Sequence, residues 1–246
     1  MTSRKAIVLA AGKGTRMKSD LPKVLFPVCG KPMLVYVLEA LQKAGIDEIY
    51  VVIGYRGELV REAISSQFPV TFVEQTEQLG TGHAVMACQS VLAGKEGPVF
   101  IIAGDSPMIC AESVSRLFEL YEQEQPVGLL GTGCKPNPFG MGRILRNDTG
   151  EFLGIVEEKD ATDQQRKITE VNMSYYLFDI PSLLGTLGAL RADNAQKEYY
   201  ITDVPALLRR QNKRILALPV LKPEESLGVN TLDDLAAVEK KMEEII

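Results

Sequence analysis

The chain of 246 residues has few of the features on which several common protein classes depend. Its four cysteines, Cys29, Cys88, Cys110 and Cys134, form no C-x-x-C pair. This spacing argues against a zinc site and against a disulfide framework, and it predicts free thiols in a reducing cytoplasm. The apolar run at the N-terminus is short and leads into a glycine loop, so it predicts a first strand rather than a signal peptide.

Two further absences restrict the partners of the protein. No apolar run approaches the roughly 20 residues that a membrane-spanning helix needs, so no membrane is expected. The chain has 27 basic and 32 acidic side chains and a net charge of −5. Without a general basic surface, nucleic acid is not an expected partner, and any phosphate site has to be built locally.

Strand and helix patterns alternate regularly through the first half of the chain. Continuous apolar runs predict strands buried on both faces, and apolar residues at helical spacing lie between them. The predicted strands are 6–10, 49–54, 70–75, 99–105 and 127–132, and the predicted helices are 32–43, 58–65, 82–91 and 111–121. The alternation predicts an α/β fold with a doubly wound, mostly parallel Rossmann-like sheet, which binds ligands at the carboxyl ends of its strands.

The pattern changes near Lys135. Turn residues at 137–138 and 148–150, with short strands between them, predict a small β-rich insertion over about 133–180. Helices are predicted at 181–190 and 203–211 and a late strand at 214–220. Thr231 is a good N-cap for a last helix. Neither an internal repeat nor a clear linker divides the chain, so a single domain over 1–246 is expected.

The segment "LAAGKGTRMKSDLPKVL" predicts a phosphate-binding loop after the first strand. Gly12 and Gly14 let the backbone approach a ligand closely. Arg16 can hold terminal phosphate oxygens in bidentate fashion, and Lys23 is a point charge suited to one phosphate. The order of residues matches no Walker A motif, and Met17 stands where a dinucleotide-binding fingerprint has its third glycine.

The same residues carry a resemblance to a known family. "LAAGKGTRM" followed by "LPKVL" resembles the signature of sugar-1-phosphate nucleotidylyltransferases. "KSDLPKVL" is similar to the uridylyltransferase domain of the bacterial bifunctional N-acetylglucosamine-1-phosphate uridylyltransferases. Further blocks follow in that family's order, so the resemblance covers almost the whole chain: "EQLGTGHA", "GMGRI", "GIVEEKDAT", "NAQKEYYITD" and "GVN".

The resemblance implies a fold of the nucleotide-diphospho-sugar transferase type and an activity in cell-wall precursor synthesis. The implied reaction is Mg²⁺-dependent transfer of UMP from UTP to N-acetylglucosamine-1-phosphate, which gives UDP-N-acetylglucosamine and pyrophosphate. Arg16 and Lys23 are the implied catalytic residues, and Asp105 and Asn230 the implied Mg²⁺ ligands. Asp105 ends a predicted strand, where a carboxylate is well placed to hold a hard cation.

The resemblance also implies which residues bind the two substrates. Glu157 and Asn172, with Gly140, would bind the sugar, and Glu158 is a competing candidate for the acid. His83, the only histidine, is expected to cap or pack rather than to act as a general base. The implied nucleotide-binding residues are Leu9, Ala10, Ala11, Gly12, Gly14, Thr15, Gln75, Gly80 and Thr81.

Two departures from the family pattern lie near the expected sugar pocket. Ala103 stands where the family usually has an aromatic residue, and Met173 and Ser174 stand where it often has "TG". They leave open another sugar-1-phosphate such as glucose-1-phosphate, another nucleotide, or a catalytically weak sugar-nucleotide sensor. The 246-residue sequence contains no hexapeptide repeats of the kind that form a β-helix acetyltransferase domain. Whether the chain is stand-alone or cut from a longer bifunctional protein stays open, and a monomer is the default expectation.

Overall fold

A nine-stranded mixed sheet forms the centre of the protein in the computed structural model, which describes residues 3–244. A separate hairpin pairs two short strands near the N-terminus. In chain order the strands are β1 Lys5–Ala10, β2 Pro27–Val28, β3 Lys31–Pro32, β4 Glu48–Ile53, β5 Thr71–Glu74, β6 Pro98–Ala103, β7 Gly128–Cys134, β8 Arg143–Arg146, β9 Phe152–Val156, β10 Glu170–Asp179 and β11 Ile215–Leu218. The helices are α1 Met33–Lys43, α2 Gly57–Ile64, α3 Thr81–Ala87, α4 Gln89–Leu92, α5 Ala111–Glu124, α6 Ile180–Leu187, α7 Val204–Arg210 and α8 Leu232–Glu243.

The main sheet has the strand order β11-β7-β10-β6-β1-β4-β5, with β8 and β9 attached beside β10. β1 lies between β4 and β6 and is parallel to both, whereas β10 is antiparallel to β6 and β7. The predicted α/β fold with a mostly parallel, mixed sheet is confirmed. The carboxyl ends of β1 and β6 meet at one edge, where the Gly104 N–H donates to the Leu9 carbonyl over 2.9 Å.

Residues of β1 alternate between two hydrophobic clusters, one on each face of the sheet. Ala6, Val8 and Ala10 pack in the cluster that includes α1, α2 and α5. Ile7 packs in the cluster that includes α3, α6 and α7. Because both faces are covered by helices, the strand is continuously apolar, which is the pattern from which it was predicted.

The structure differs from the predicted elements in three places that affect the site or the sheet. The fourth predicted strand ends at Ala103, so Asp105 lies in the turn beyond it, and the helix predicted over 82–91 is divided at Cys88. The β-rich segment over 133–180 has two parts, since β8 and β9 form a hairpin but β10 lies within the central sheet. β10 is buried on both faces, so its sequence lacks the alternation of apolar and polar residues that is typical of a strand with one exposed face.

A third, smaller hydrophobic cluster joins the N-terminal loop to the C-terminal helix. The N-cap of α8 is Thr231, as predicted, because its side chain accepts from the Asp234 N–H over 3.2 Å. Packing beneath that cap brings the turn before α8 against the loop after β1. The buried members of the cluster are Met17, Val28, Met33, Met108, Val229, Val238 and Met242. Among the described residues, no helix is long and apolar enough to cross a membrane.

Candidate active site

Four of the predicted site residues, from four distant parts of the chain, meet at the carboxyl edge of β1 and β6. The Asn230 Oδ1 accepts from the Arg16 Nη2 and from the Lys23 Nζ, each over 2.9 Å. The Lys23 ammonium also forms an ion pair with the Asp105 carboxylate. A continuous set of contacts thus joins two cationic side chains, one carboxylate and one amide oxygen, which are groups that could hold a triphosphate and a metal ion.

The glycine loop lies directly over the stem of Lys23. Gly14 has φ +63°, and a Cβ at this position would lie 2.6 Å from the Lys23 Cβ. Only glycine therefore fits both the backbone conformation and the close approach. The buried side chain of Met17 anchors the turn that follows in the third cluster, together with Val229. The residue that breaks the dinucleotide fingerprint is thus the one that joins this loop to the segment carrying Asn230.

Asp105 and Asn230 fit a hard divalent cation that receives its remaining ligands from elsewhere. They offer one carboxylate and one amide oxygen, and both oxygens already accept from a cationic side chain. Within residues 3–244 there is no group of three His, Cys, Asp or Glu side chains that could hold a metal on its own. Mg²⁺ commonly takes few protein oxygens and completes its shell with phosphate and water, so this donor set suits it.

One cavity of about 550 Å³ contains most of the predicted phosphate and sugar residues. Side chains that were not predicted also line it, among them Lys135, Phe139 and Glu225. Ala103 lies in the same wall. The predicted residues that line this cavity are Arg16, Thr81, Asp105, Gly140, Glu157, Asn172 and Asn230.

Of the residues predicted to bind the base, Thr81 lines this large cavity, whereas the others line a different cavity or lie in backbone contacts. Gln75 lines a neighbouring cavity of about 440 Å³ with Gly54 and Gln78. The Leu9 and Ala11 carbonyls accept from the N–H groups of Gly104 and Tyr55. The structure thus brings phosphate and sugar residues together with Thr81, whereas the other base residues lie on the loops beside them.

Gly80 fixes the loop that carries the predicted base site. Its φ of +105° is one that residues other than glycine rarely adopt, and a Cβ would lie 2.6 Å from the Tyr199 carbonyl oxygen. The Gly82 N–H donates to that carbonyl over 2.7 Å, and the Tyr199 N–H donates to the Leu79 carbonyl over 2.8 Å. Two blocks far apart in sequence, "EQLGTGHA" and "NAQKEYYITD", are therefore one packed unit.

The adjacent acids Glu157 and Glu158 have different environments. Glu157 lines the cavity and accepts from the Thr202 hydroxyl over 3.0 Å. Burial raises the pKa of Glu157; the Thr202 hydrogen bond opposes this, and nearby Asp160 and Asp203 raise it further. Of the two acids, Glu157 is therefore the one that faces the cavity.

Glu158 instead pairs with the buried guanidinium of Arg143, over 2.6 Å, and accepts from the Gly140 N–H over 3.1 Å. Burial acts to raise the pKa of Glu158, but the hydrogen bonds from Arg143 and Gly140 lower it overall. Arg143 is 1% exposed, and its Nε is the one fully buried side-chain nitrogen or oxygen without a partner in the described part of the chain. Glu158 thus holds the Gly140 loop in place.

Neutral variants of these two acids are expected to change stability in opposite directions. Glu157→Gln should raise the free energy of unfolding at pH 8 by about 1 kcal/mol, because it removes a carboxylate whose burial and acidic neighbours outweigh its favourable contacts with Thr202 and Arg143. A raised carboxyl pKa means that the folded state holds the proton more tightly, so this gain should disappear as pH falls toward 4.5. Glu158→Gln should lower stability by about 2 kcal/mol, because the Arg143 charge loses its counter-ion. Urea unfolding at both pH values measures these differences, and equal effects of the two changes would contradict the assignment.

A bulge in β10 sets the direction of Asn172. The register between β10 and β7 shifts between Asn172 and Tyr175, and Ser174 within the bulge has φ +60°. The Asn172 Nδ2 donates to the Tyr176 hydroxyl over 2.6 Å, and its Oδ1 accepts from the Ser174 N–H over 3.2 Å. The position where the related family often has glycine is therefore one that needs the left-handed backbone conformation.

Ser174→Gly is expected to be more stable than Ser174→Ala by about 1 kcal/mol. Both variants lose the hydroxyl group, so they differ only in the cost of a left-handed backbone with a Cβ. Chemical denaturation of the two variants under one set of conditions measures the difference. Equal stabilities would show that the bulge carries no backbone strain at this residue.

Glu225 is a cavity residue that the sequence pattern does not reveal. Its buried carboxylate accepts from the Ser113 hydroxyl over 2.6 Å, from the Tyr175 hydroxyl over 3.1 Å and from the N–H groups of Cys110 and Lys222. These bonds fasten the short helix Pro223–Ser226, and with it the turn before Asn230, to α5 and β10. The local sequence "KPEES" is typical of an exposed turn, so nothing in it indicates a buried anchor.

Comparison with known proteins identifies the family. The MobA-like NTP transferase domain matches residues 6–168, which is more than half of the chain. The chain belongs to the MobA-like NTP transferase family. The matched region of this NTP transferase includes the glycine loop, Lys23, Asp105 and Glu157, whereas Asn172 and Asn230 lie beyond it.

Curated relatives of this NTP transferase extend the match along almost all of the chain. A protein named Bifunctional protein GlmU from Limosilactobacillus reuteri is 45% identical over 242 residues, which are 98% of this chain and 53% of the relative. Another of the same name from Clostridium perfringens is 49% identical over 238 residues, 96% of this chain and 52% of that protein. The chain spans about half the length of the curated relatives it matches. The resemblance that the motifs indicated is confirmed.

Solved structures agree with the fold of the NTP transferase. A UDP-glucose pyrophosphorylase complexed with UDP-glucose superposes with a TM-score of 0.78 over the full length of both chains, at 20% sequence identity. An apo UDP-glucose pyrophosphorylase gives a TM-score of 0.77 at 17% identity, over 99% of each chain. At these identities the similarity establishes the fold.

Proposed function

We propose that this NTP transferase transfers UMP from UTP to N-acetylglucosamine-1-phosphate and releases pyrophosphate. The observation that supports the proposal most directly is the convergence of Arg16, Lys23, Asp105 and Asn230. Three of these residues line the same cavity as the predicted sugar residues Gly140, Glu157 and Asn172. A phosphate site and a sugar site would thus open into one space, where two substrates can react.

The proposed chemistry is a single displacement at the α-phosphorus of UTP. A phosphate oxygen of the sugar phosphate forms the new P–O bond, and the bond between the α-phosphorus and the bridging oxygen of the leaving pyrophosphate breaks. The nucleophile is already an anion, so no general base is needed. Catalysis then consists of positioning the reactants and stabilising charge.

The cationic residues of the loop would perform this stabilisation. Lys23 would turn from Asp105 toward the α-phosphate, where negative charge develops in the transition state. Arg16 and the N–H groups of the glycine loop would hold the leaving pyrophosphate. In the structure Lys23 neutralises Asp105, and Arg16 adds a positive charge that favours the binding of phosphate.

Asp105 and Asn230 would hold Mg²⁺ together with phosphate oxygens. When bound, the ion supplies positive charge to the nucleotide and orients its phosphates for displacement. For the ion to bind there, Lys23 would have to release the Asp105 and Asn230 oxygens that it contacts in the structure.

The sugar side of the proposal depends on side chains that can read hydroxyl and amide groups. Glu157 can accept from sugar hydroxyls, and the Asn172 amide lies beside it in the cavity wall. Ala103 leaves that wall without the aromatic ring that the related family usually has. The exposed ring of Phe139, which also lines the cavity, gives an apolar surface there.

A pyrophosphate-release assay tests the proposal over a panel of nucleoside triphosphates and sugar-1-phosphates, with and without Mg²⁺. We expect release with UTP and N-acetylglucosamine-1-phosphate, and none without the metal. Faster release with glucose-1-phosphate would transfer the proposal to that substrate. No release with any pair would contradict the proposal and favour a sugar-nucleotide sensor.

A further inference from the structure

The single histidine of the chain contacts the residue predicted to bind the base. The Nε2 of Gln75 lies 3.2 Å from the Gly80 carbonyl oxygen and 3.1 Å from the Nδ1 of His83. His83 lies on α3, one residue beyond Gly82, which the Tyr199 carbonyl fixes in place. The contact is therefore built on the packed unit described above.

The hydrogen-bonding chemistry of these groups determines which way the Gln75 amide points. A peptide carbonyl can only accept, so the atom facing Gly80 has to be the amide nitrogen rather than the oxygen. Its second N–H then points to His83, whose Nδ1 has to accept. The imidazole must accordingly carry its proton on Nε2.

The amide oxygen of Gln75 is the atom left for a ligand. Gln75 is only 4% exposed, and its Oε1 makes no hydrogen bond with any residue between 3 and 244. The Gln75 Oε1 has no partner within that range but is not fully buried, so it reaches the accessible surface. Both donors of the amide are used within the protein, and a lone acceptor faces outward.

We propose that His83 is a positioning residue that sets the choice of base by holding Gln75 with its oxygen outward. The inference rests on the proposed function, because it takes the nucleotide to be a pyrimidine triphosphate bound beside Gln75. The ring N3 of uracil carries a hydrogen and can donate to Oε1. The ring N3 of cytosine is an acceptor, which an outward oxygen repels, so the arrangement favours UTP over CTP.

Replacing His83 tests this role through selectivity. His83→Phe keeps a ring beside Tyr199, whose centroid lies 6.3 Å from that of His83, but it frees one N–H of Gln75. We expect the UTP-to-CTP ratio of kcat/KM to fall about tenfold, the range for one hydrogen bond to a buried polar group, with kcat for UTP little changed. Met86→Leu, a volume-conserving change one turn along α3, should leave the ratio unaltered. A selective His83→Phe enzyme would overturn the proposal while leaving the proposed reaction intact.

A spectroscopic measurement does not depend on activity or on a folded variant. Because the chain has one histidine, long-range ¹H–¹⁵N NMR of the untagged protein at pH 8 reports His83 alone. The proposal predicts a proton on Nε2 and a bare Nδ1. A proton on Nδ1 would overturn it, even if the protein proved an active uridylyltransferase. If the protein turned over no nucleotide, the proposed reaction would be wrong, and the NMR result would still decide whether His83 accepts from Gln75.

Discussion

Lys23→Ala is expected to lower kcat by a factor of about 10² to 10³, the effect typical of removing one oriented charge from a transition state. The glycine loop lies against the stem of Lys23, so the stem is fixed before the substrates bind and only the ammonium has to turn from Asp105 and Asn230. The affinity for the sugar phosphate should change far less, because the proposed role lies at the α-phosphate.

Steady-state kinetics with both substrates varied measure this prediction. Lys31→Ala is a suitable control, since Lys31 also pairs with a carboxylate, Glu39 over 2.6 Å, but on the separate β2–β3 hairpin. The control should turn over at the normal rate. Near-normal kcat for Lys23→Ala, or an effect confined to KM for the sugar phosphate, would refute the role given to Lys23.

Asp105→Asn is expected to lower Mg²⁺-supported turnover at least about 100-fold, because a neutral amide is a much weaker ligand for a hard cation than a carboxylate. The Mg²⁺ concentration needed for half-maximal rate should rise as well. Folding should be preserved, since the Asp105 side chain is only partly buried and asparagine has the same shape.

Mg²⁺ titration of the rate, together with Mn²⁺ binding followed by electron paramagnetic resonance, tests the metal site. Asp163→Asn removes a carboxylate from an exposed ion pair with Arg166, and it should leave both readouts unchanged. If Asp105→Asn kept the same metal dependence as the unaltered protein, the metal would have to bind elsewhere.

The fold was predictable where an element depends on a pattern of residues close together in the sequence. The continuous apolar run of β1 and the N-cap of α8 were both recognisable, because each depends on residues close in the chain. The place of β10 was not, since pairing with β6 and β7 is decided by contacts far apart in sequence. Strand order is a property of the whole sheet, and no short pattern encodes it.

The candidate site was predictable in the same uneven way. The loop chemistry of Arg16 and Lys23 could be worked out from the residues themselves, whereas the link to Asn230 came only from the family resemblance. The structure supplies the physical reason for that link, which is the burial of Met17 and Val229 in one hydrophobic cluster. The roles of Glu158 and Glu225 could not be assigned from sequence. Glu158 pairs with Arg143 and Glu225 accepts from Tyr175, and both contacts join segments that are distant in the chain.

The products of the reaction show whether this NTP transferase transfers UMP to the sugar phosphate. ³¹P NMR of the protein with UTP, N-acetylglucosamine-1-phosphate and Mg²⁺ can distinguish the possible products in a single sample. We expect the resonances of UDP-N-acetylglucosamine and pyrophosphate to grow in equal amounts as UTP and the sugar phosphate disappear. Orthophosphate with UDP, or no change while the protein stays folded, would contradict this expectation.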